Sequence, residues 1–309
     1  MQFTPRLKAY LMLTVVAIVW GFATPIIKFT LEGFTPTNFL AYRFFISTLL
    51  AIFIFIISGV HLPKKLNTLL LLLLNGFLNS SVALGLLFFG IKNTTILETG
   101  LITLTSPLLI STAGVLFLHE HVTRREKIGM AIAMIGTIFT IVEPLILNGH
   151  NSIRLSGNIL VFGYVVSTLV TTIIGKKILK DGANPMTMVN ISFIIGFLTF
   201  GLVALKSNTL LELVNTIIST DIKYHLGVLY MAIVSGTFAF YLNNKAQKTI
   251  EIGEQSLFSY LTPIFSLPLA VLWLGEKVTP TFIIGTIVIV IGVGIAEFKK
   301  KRYNSDSRN

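Results

Sequence analysis

The 309-residue chain is predicted to fold as an all-α integral membrane protein, with ten transmembrane helices arranged as two five-helix repeats of inverted topology. Three observations predict this. Hydrophobic residues make up 53% and charged residues 12% of the chain. Its mean hydropathy is +0.83, which leaves too little polar surface for a soluble globule. The apolar residues fall in about ten blocks, most near the ~20 residues a helix needs to cross the hydrocarbon core. Residues 98–136 also recur 156 positions later without a gap. Twelve of 39 aligned positions are identical, including Pro107 and Pro263, Gly129 and Gly285, and Gly136 and Gly292. The chain is therefore read as an internal duplication.

The predicted helices of the first unit run from Leu7 to Phe29, Pro36 to Ile57, Leu66 to Ile91, Leu97 to Leu118 and Lys127 to Leu145. Those of the second run from Gly157 to Ile174, Pro185 to Leu205, Tyr224 to Leu242, Glu254 to Leu274 and Pro280 to Phe298. The blocks are continuously apolar, so they do not fit the ~10-residue alternating strands of a membrane barrel. The first block follows Arg6 and Lys8. Its length, its Trp20, Pro25 and Lys28, and the lack of an obvious small-residue cleavage site set it apart from a cleaved signal peptide. Helices four and nine carry Pro107 and Pro263, whose rings free the carbonyls of Thr103 and Ser259. Helices five and ten open on cap sequences, Thr123-Arg-Arg-Glu126 and Thr279-Pro280. Small faces on those two helices, Gly129, Ala133 and Gly136 and then Gly285, Gly292 and Gly294, suit either scaffold packing in a monomer or a homodimer contact. Between helices seven and eight, Leu210, Leu211, Leu213, Val214, Ile217 and Ile218 recur at helical spacing, as a short interfacial helix or a loop cover would.

The unit boundary falls in the polar stretch Asn148 to Ser156, giving units 1–149 and 150–309 with five crossings each. After an odd number of crossings the second copy starts on the opposite face, so the units are inverted about an axis in the membrane plane. The net charge of +11 would suggest nucleic acid in a soluble protein. Here 17 of the 24 Lys and Arg fall on the side of the termini, six on the other (Lys28, Lys92, Arg154, Lys206, Lys223, Lys277), and Arg43 within a helix. The positive-inside rule then makes both termini cytoplasmic, in a multi-pass protein of the cell inner membrane, with no nucleic-acid role.

Polar residues inside a membrane are costly and are expected to face the bundle interior. Trp20, Thr24 and Lys28 share a face of helix one at four-residue spacing, as do Asn75 and Asn79 on helix three and Ser256 and Tyr260 on helix nine. Tyr164, Ser167 and Thr171 stripe helix six; Tyr230, Thr237 and Tyr241 stripe helix eight. Each is either an interhelical hydrogen bond or a ligand contact. Together they describe an aromatic, neutral polar interior suited to a small amphipathic or zwitterionic solute. Arg43 either snorkels or pairs with a loop carboxylate such as Glu32, or it binds a substrate carboxylate. The candidate substrate-binding set is Trp20, Thr24, Arg43, Asn75, Asn79, Thr103, Tyr164, Tyr230, Ser256 and Tyr260, with Pro107 and Pro263 as hinges. Glu120 and Glu276 are expected to bond exposed amides in the interhelix turns, beside Thr123 and Thr279. Glu98 and Glu254 sit near the starts of helices four and nine, where amide dipoles favour negative charge.

Trp20-Gly21 followed by Lys28, then a proline, a Leu-x-Glu turn and spaced glycines in each half, resemble the ten-helix EamA family of the drug/metabolite transporter superfamily over essentially the whole chain. One departure is His119, where the family usually has glycine; Gly275 keeps it in the second copy. The resemblance implies an inner-membrane carrier, commonly an exporter of amino acids, related metabolites or toxic compounds, with its cavity between helices one to four and six to nine. No enzyme motif competes. His119-Glu120-His121 lacks the spacing of a metal-binding helix pair, and no nucleophile elbow or nucleotide loop is present. No metal or cofactor is expected. A lipid scramblase or membrane sensor is the alternative reading. For energy coupling, proton exchange and simple facilitated diffusion both fit.

Overall fold

In the computed structural model, the described residues are 4–118, 124–148, 152–207 and 209–297, and among them every regular element is helical. Helix α1 spans Pro5–Thr30 and α2 Pro36–Ser58. Helix α3, Leu66–Gly76, passes through a π-helical stretch, Phe77–Ala83, into α4, Leu84–Asn93. Next come α5 (Ile96–Thr103), α6 (Ser106–Leu118) and α7 (Arg124–Asn148). The second half runs α8 (Ser152–Lys180), α9 (Pro185–Ser207), α10 (Leu210–Ser219) and α11 (Ile222–Leu229). Helix α11 continues through a second π-helical stretch, Tyr230–Phe238, into α12, Ala239–Thr249. The chain then forms α13 (Ile252–Leu257), a 3-10 turn (Phe258–Leu261), α14 (Thr262–Leu272) and α15 (Pro280–Glu297).

Among the described residues, seven helical stretches are long and apolar enough to cross a membrane: Pro5–Thr30, Pro36–Ser58, Leu66–Asn93, Ser152–Lys180, Pro185–Ser207, Ile222–Thr249 and Ile252–Leu272. Shorter apolar helices cover Ile96–Ile110, Ile128–Val142, Leu210–Ser219 and Pro280–Ile295. The outward faces are oily, with Ile56, Leu202 and Leu272 strongly exposed, as expected where lipid rather than water is the solvent. Phe39, Phe44, Phe88 and Phe193 are buried in the main core.

Local chemistry explains the elements. Thr4 and Thr35 cap α1 and α2 ahead of Pro5 and Pro36, which need no amide partner in the first turn. Thr95 and Glu98 form a capping box at α5. Gly275 has φ of +67°, a left-handed conformation that favours glycine in the turn after α14, and Thr279 Oγ1 accepts the amide of Phe282 to start α15. Helix α10 forms within the segment read as an interfacial helix or loop cover, and none of its residues is buried.

The two third helices and the two fourth helices depart from the predicted continuous α-helices, and do so at corresponding places. A π stretch interrupts each third helix. Each fourth helix is broken, with α5 and α13 beginning 156 residues apart, as do α6 and α14. Pro107 and Pro263 therefore do not sit inside unbroken helices, but at the second position of α6 and of α14, where a missing N–H costs little. The principal packing is equally regular. Helix α2 packs on α9 and α7 on α15; α1 contacts α12 and α14, while α8 contacts α4 and α6. Gly292 permits the α7–α15 approach, because a Cβ there would lie 2.4 Å from the Ala133 amide nitrogen. The glycine faces are thus used within the chain.

Candidate functional site

Between the two halves lies a cavity of about 200 Å³. Of the residues expected to bind a solute, Trp20, Thr24, Arg43, Asn75, Asn79, Thr103, Tyr164 and Ser256 line it. Tyr230 and Tyr260 lie outside the lining. The Tyr230 hydroxyl donates to the Val19 carbonyl at 2.8 Å. Tyr260 leaves the Ser256 face because four-residue spacing holds only on a continuous α-helix, and the 3-10 turn at Phe258–Leu261 intervenes. The same turn, and its counterpart at Leu104 and Thr105, bring Ser259 and Thr262 and then Thr103 and Ser106 to the cavity.

Both halves supply matching faces. Val16, Trp20, Ala23, Thr24 and Ile27 of α1 line the cavity, and so do Tyr164, Thr168, Thr171, Thr172 and Gly175 of α8, each 148 residues later. Asn75, Asn79, Leu84 and Leu87 line it from the third helix of the first half. Met231, Ser235, Phe240 and Asn243, each 156 later, line it from the second. The indole Nε1 of Trp20 donates to the Ser235 carbonyl at 3.1 Å. Asn75 donates to the Thr171 carbonyl at 2.7 Å, and Asn79 to the Ser192 hydroxyl at 3.2 Å. Ser167 is turned away from the cavity, onto the Leu78 carbonyl.

The sequence reading missed Asn243, Asn244 and Gln247 because it ended the eighth helix at Leu242, whereas α12 runs to Thr249. The four-residue spacing of Asn243 and Gln247 was the available signal. Through these residues the cavity reaches the last turns of α12. Beyond Leu84 and Leu87 of the lining, Phe88, Ile91 and Ile96 have no exposed surface, which marks this as the closed end, and a polar cluster surrounds Glu98 there. Glu98, 1% exposed, accepts from Arg154 Nε at 2.8 Å, from Thr94 Oγ1 at 2.7 Å and from Asn158 Nδ2 at 3.2 Å. Its duplicate, Glu254, pairs with Arg6 at 2.7 Å and accepts from the Tyr10 hydroxyl. Arg6 and Arg154 stand 148 residues apart, as do Tyr10 and Asn158, so each pair ties one half to the other at opposite ends of the cavity.

The lysines repeat the pattern. Lys28 Nζ donates to the carbonyls of Ile91 and Thr94 at 2.8 and 2.6 Å. Lys176 Nζ donates to those of Gln247, at 2.5 Å, and Ile250. Each ammonium satisfies the open carbonyls where the third helix of its own half ends. Lys176, assigned to a loop by sequence, is buried because α8 continues past Ile174 to Lys180.

Glu276 does bond exposed amides, but not those of its own turn. Its carboxylate accepts from Ile96 N at 2.7 Å and Leu97 N at 2.9 Å, capping α5 in the first half. Burial raises its carboxyl above the ordinary glutamate range, against the pull of those two amides. Glu120 and Thr123 lie outside the described residues. No cluster of His, Cys, Asp or Glu able to hold a metal occurs among the described residues.

A multi-helix membrane protein with a polar cavity shared between two halves is the class this architecture defines. The sequence profile of the EamA-like transporter family matches residues 7–142 and 155–297, so the chain belongs to that family. Relatives include an uncharacterized transporter, YyaM, of Bacillus subtilis, 22% identical over 98% of this chain and 99% of its own. Two proteins described as probable amino-acid metabolite efflux pumps are also similar. That of Salmonella typhimurium is 28% identical, covering 95% of each chain, and that of Escherichia coli is 25% identical, covering 92% of each. A solved crystal structure shares the fold with a TM-score of 0.62 at 18% identity, covering 96% of this chain and 99% of the other.

Proposed function

We propose that this protein exports small metabolites, amino acids and related amphipathic or zwitterionic compounds, by alternating access around the central cavity. The observation that carries this reading is the cavity itself, with a polar and aromatic lining, neutral apart from Arg43, drawn largely from equivalent faces of both halves. The two efflux-pump relatives support the solute class and the direction. On this reading the seven long spans, the broken fourth helix, α7 and α15 make ten crossings, as two inverted five-helix units with both termini in the cytoplasm of an inner-membrane protein.

Rocking of one unit against the other would exchange the two inter-half ties, Glu98–Arg154 at one end and Glu254–Arg6 at the other, with the breaks beside Pro107 and Pro263 as flexing points. Counterflow into proteoliposomes tests the proposal. Protein loaded with unlabelled leucine or phenylalanine should accelerate uptake of the labelled solute without moving labelled phospholipid. Lipid movement without solute exchange would make it a scramblase instead.

A further inference from the structure

Among the described residues that line the cavity, Arg43 is the only charged side chain; no aspartate or glutamate is among them. It neither snorkels nor pairs with Glu32. The residue is 0% exposed, and Nε, Nη1 and Nη2 are all buried without a hydrogen-bond acceptor. What surrounds the guanidinium is aromatic. Its Cζ lies 5.2 Å from the Phe44 ring centroid, 5.4 Å from that of Phe88 and 5.9 Å from that of Phe193. Ring faces attract a cation but accept none of its five N–H bonds. A buried guanidinium left in this condition is costly, and the cost is removed by an anion that meets its planar fork. Phe193 of α9, one of these rings, also lines the cavity. The second π stretch also approaches, since a Cβ at Gly236 would stand 3.5 Å from both Arg43 Nη2 and the Phe193 ring.

Resting on the carrier reading above, we infer that the transported solute must bear a carboxylate, that Arg43 is its receptor, and that an ammonium group on the solute is dispensable. A carboxylate takes two parallel N–H bonds from the guanidinium. The ammonium of an amino acid finds only neutral partners in the lining, such as the side-chain amides of Asn75 and Asn79. Simple carboxylic acids with an apolar tail therefore bind as well as the corresponding amino acids, whereas cationic amphiphiles meet an unopposed positive charge and are refused.

The test uses four matched probes on the purified full-length protein in chloride-free buffer: 3-phenylpropionate, phenylalanine, phenylalaninamide and phenethylamine. Thermal-shift titration should give stabilisation by the two acids within about threefold of each other in apparent affinity, and none by the amide or the amine. R43Q should lose at least tenfold in affinity for both acids, and R43K should lose less. Stabilisation by the amine, a shift by neither acid, or a response to chloride alone overturns the inference. So does an R43Q protein that binds the acids unchanged. Should R43Q fail to fold, the wild-type ranking of the four probes still decides. Counterflow separates this inference from the carrier reading. If wild type exchanges the amine as fast as the acid, the carrier stands and the carboxylate rule falls. If the acids bind but are never exchanged, the Arg43 site stands and the carrier reading falls.

Discussion

Replacing Glu98 by alanine removes the carboxylate that holds the closed end of the cavity together. In the structure it accepts from Arg154, Asn158, Thr94 and Thr95 while almost wholly buried. Breaking a buried ion pair from one side costs about 3–5 kcal/mol. The Arg154 side chain is 20% exposed and regains some hydration, so ~3 kcal/mol is a fairer figure here. At ~1.4 kcal/mol per factor of ten, a closed end weakened by that amount opens roughly 10²-fold more often. The duplicate pair is different. The Arg6 side chain is 67% exposed, and exposed pairs contribute roughly 0–1 kcal/mol, so E254A should change little. The chain has no cysteine, so a single introduced thiol reports without background. Leu87→Cys lies in the lining on the third helix and is buried. Its labelling by an impermeant maleimide applied at the closed end should rise up to ~100-fold with E98A and less than about fivefold with E254A. Equal rates in wild type and E98A would refute the assignment of this cluster to the closure.

Four further outcomes follow from the same geometry. P107A combined with P263A should slow counterflow while leaving expression intact, and unchanged flux removes the two breaks from the mechanism. K176M should lower the melting temperature of the purified protein, because the freed Gln247 and Ile250 carbonyls cost about 1–3 kcal/mol if left unmatched; no change would mean that the carbonyls find other donors. Gly292→Ala should also destabilise, by about 1–3 kcal/mol, since its methyl would meet the Ala133 backbone; a neutral effect would show that α7 and α15 part freely. Burial raises the Glu276 carboxyl, so the folded protein keeps its proton at a pH where the unfolded chain has released it. Stability from this group is present below the ordinary glutamate value and is lost as pH rises just beyond it. That increment should be missing in melting curves of E276Q, and its persistence there would assign it to another group.

The sequence made the helices legible where a single physical signal dominated. Helix α2 and helix α9 begin at the predicted Pro36 and Pro185, because proline and long apolar runs leave little choice. The paired polar faces of Trp20 and Thr24, and of Asn75 and Asn79, led to the cavity because four-residue spacing survives on the helices that carry them. Where the backbone departs from the α period, side-chain spacing misleads. The π stretch beginning at Tyr230 and the 3-10 turn holding Tyr260 moved both residues off the lining. Polar helix ends were also misread. Lys176 and Gln247 looked like loop residues by hydropathy, yet both are buried, Lys176 against the carbonyls at the end of α12 and Gln247 against the Thr172 carbonyl of α8, through hydrogen bonds that no local pattern encodes. Long-range ties such as Arg6 with Glu254 join residues 248 apart and were out of reach of any single-helix argument.

The claim on which the account rests is that the two halves are inverted, which puts the equivalent ends of α1 and α8 on opposite sides of the membrane. Single cysteines at Glu32, just past the end of α1, and at Lys180, the last residue of α8, are both exposed and report this directly. In intact cells an impermeant thiol reagent should label Glu32→Cys at once and Lys180→Cys only after permeabilisation. Labelling of both from the same side would contradict the inverted architecture and, with it, the proposed carrier cycle.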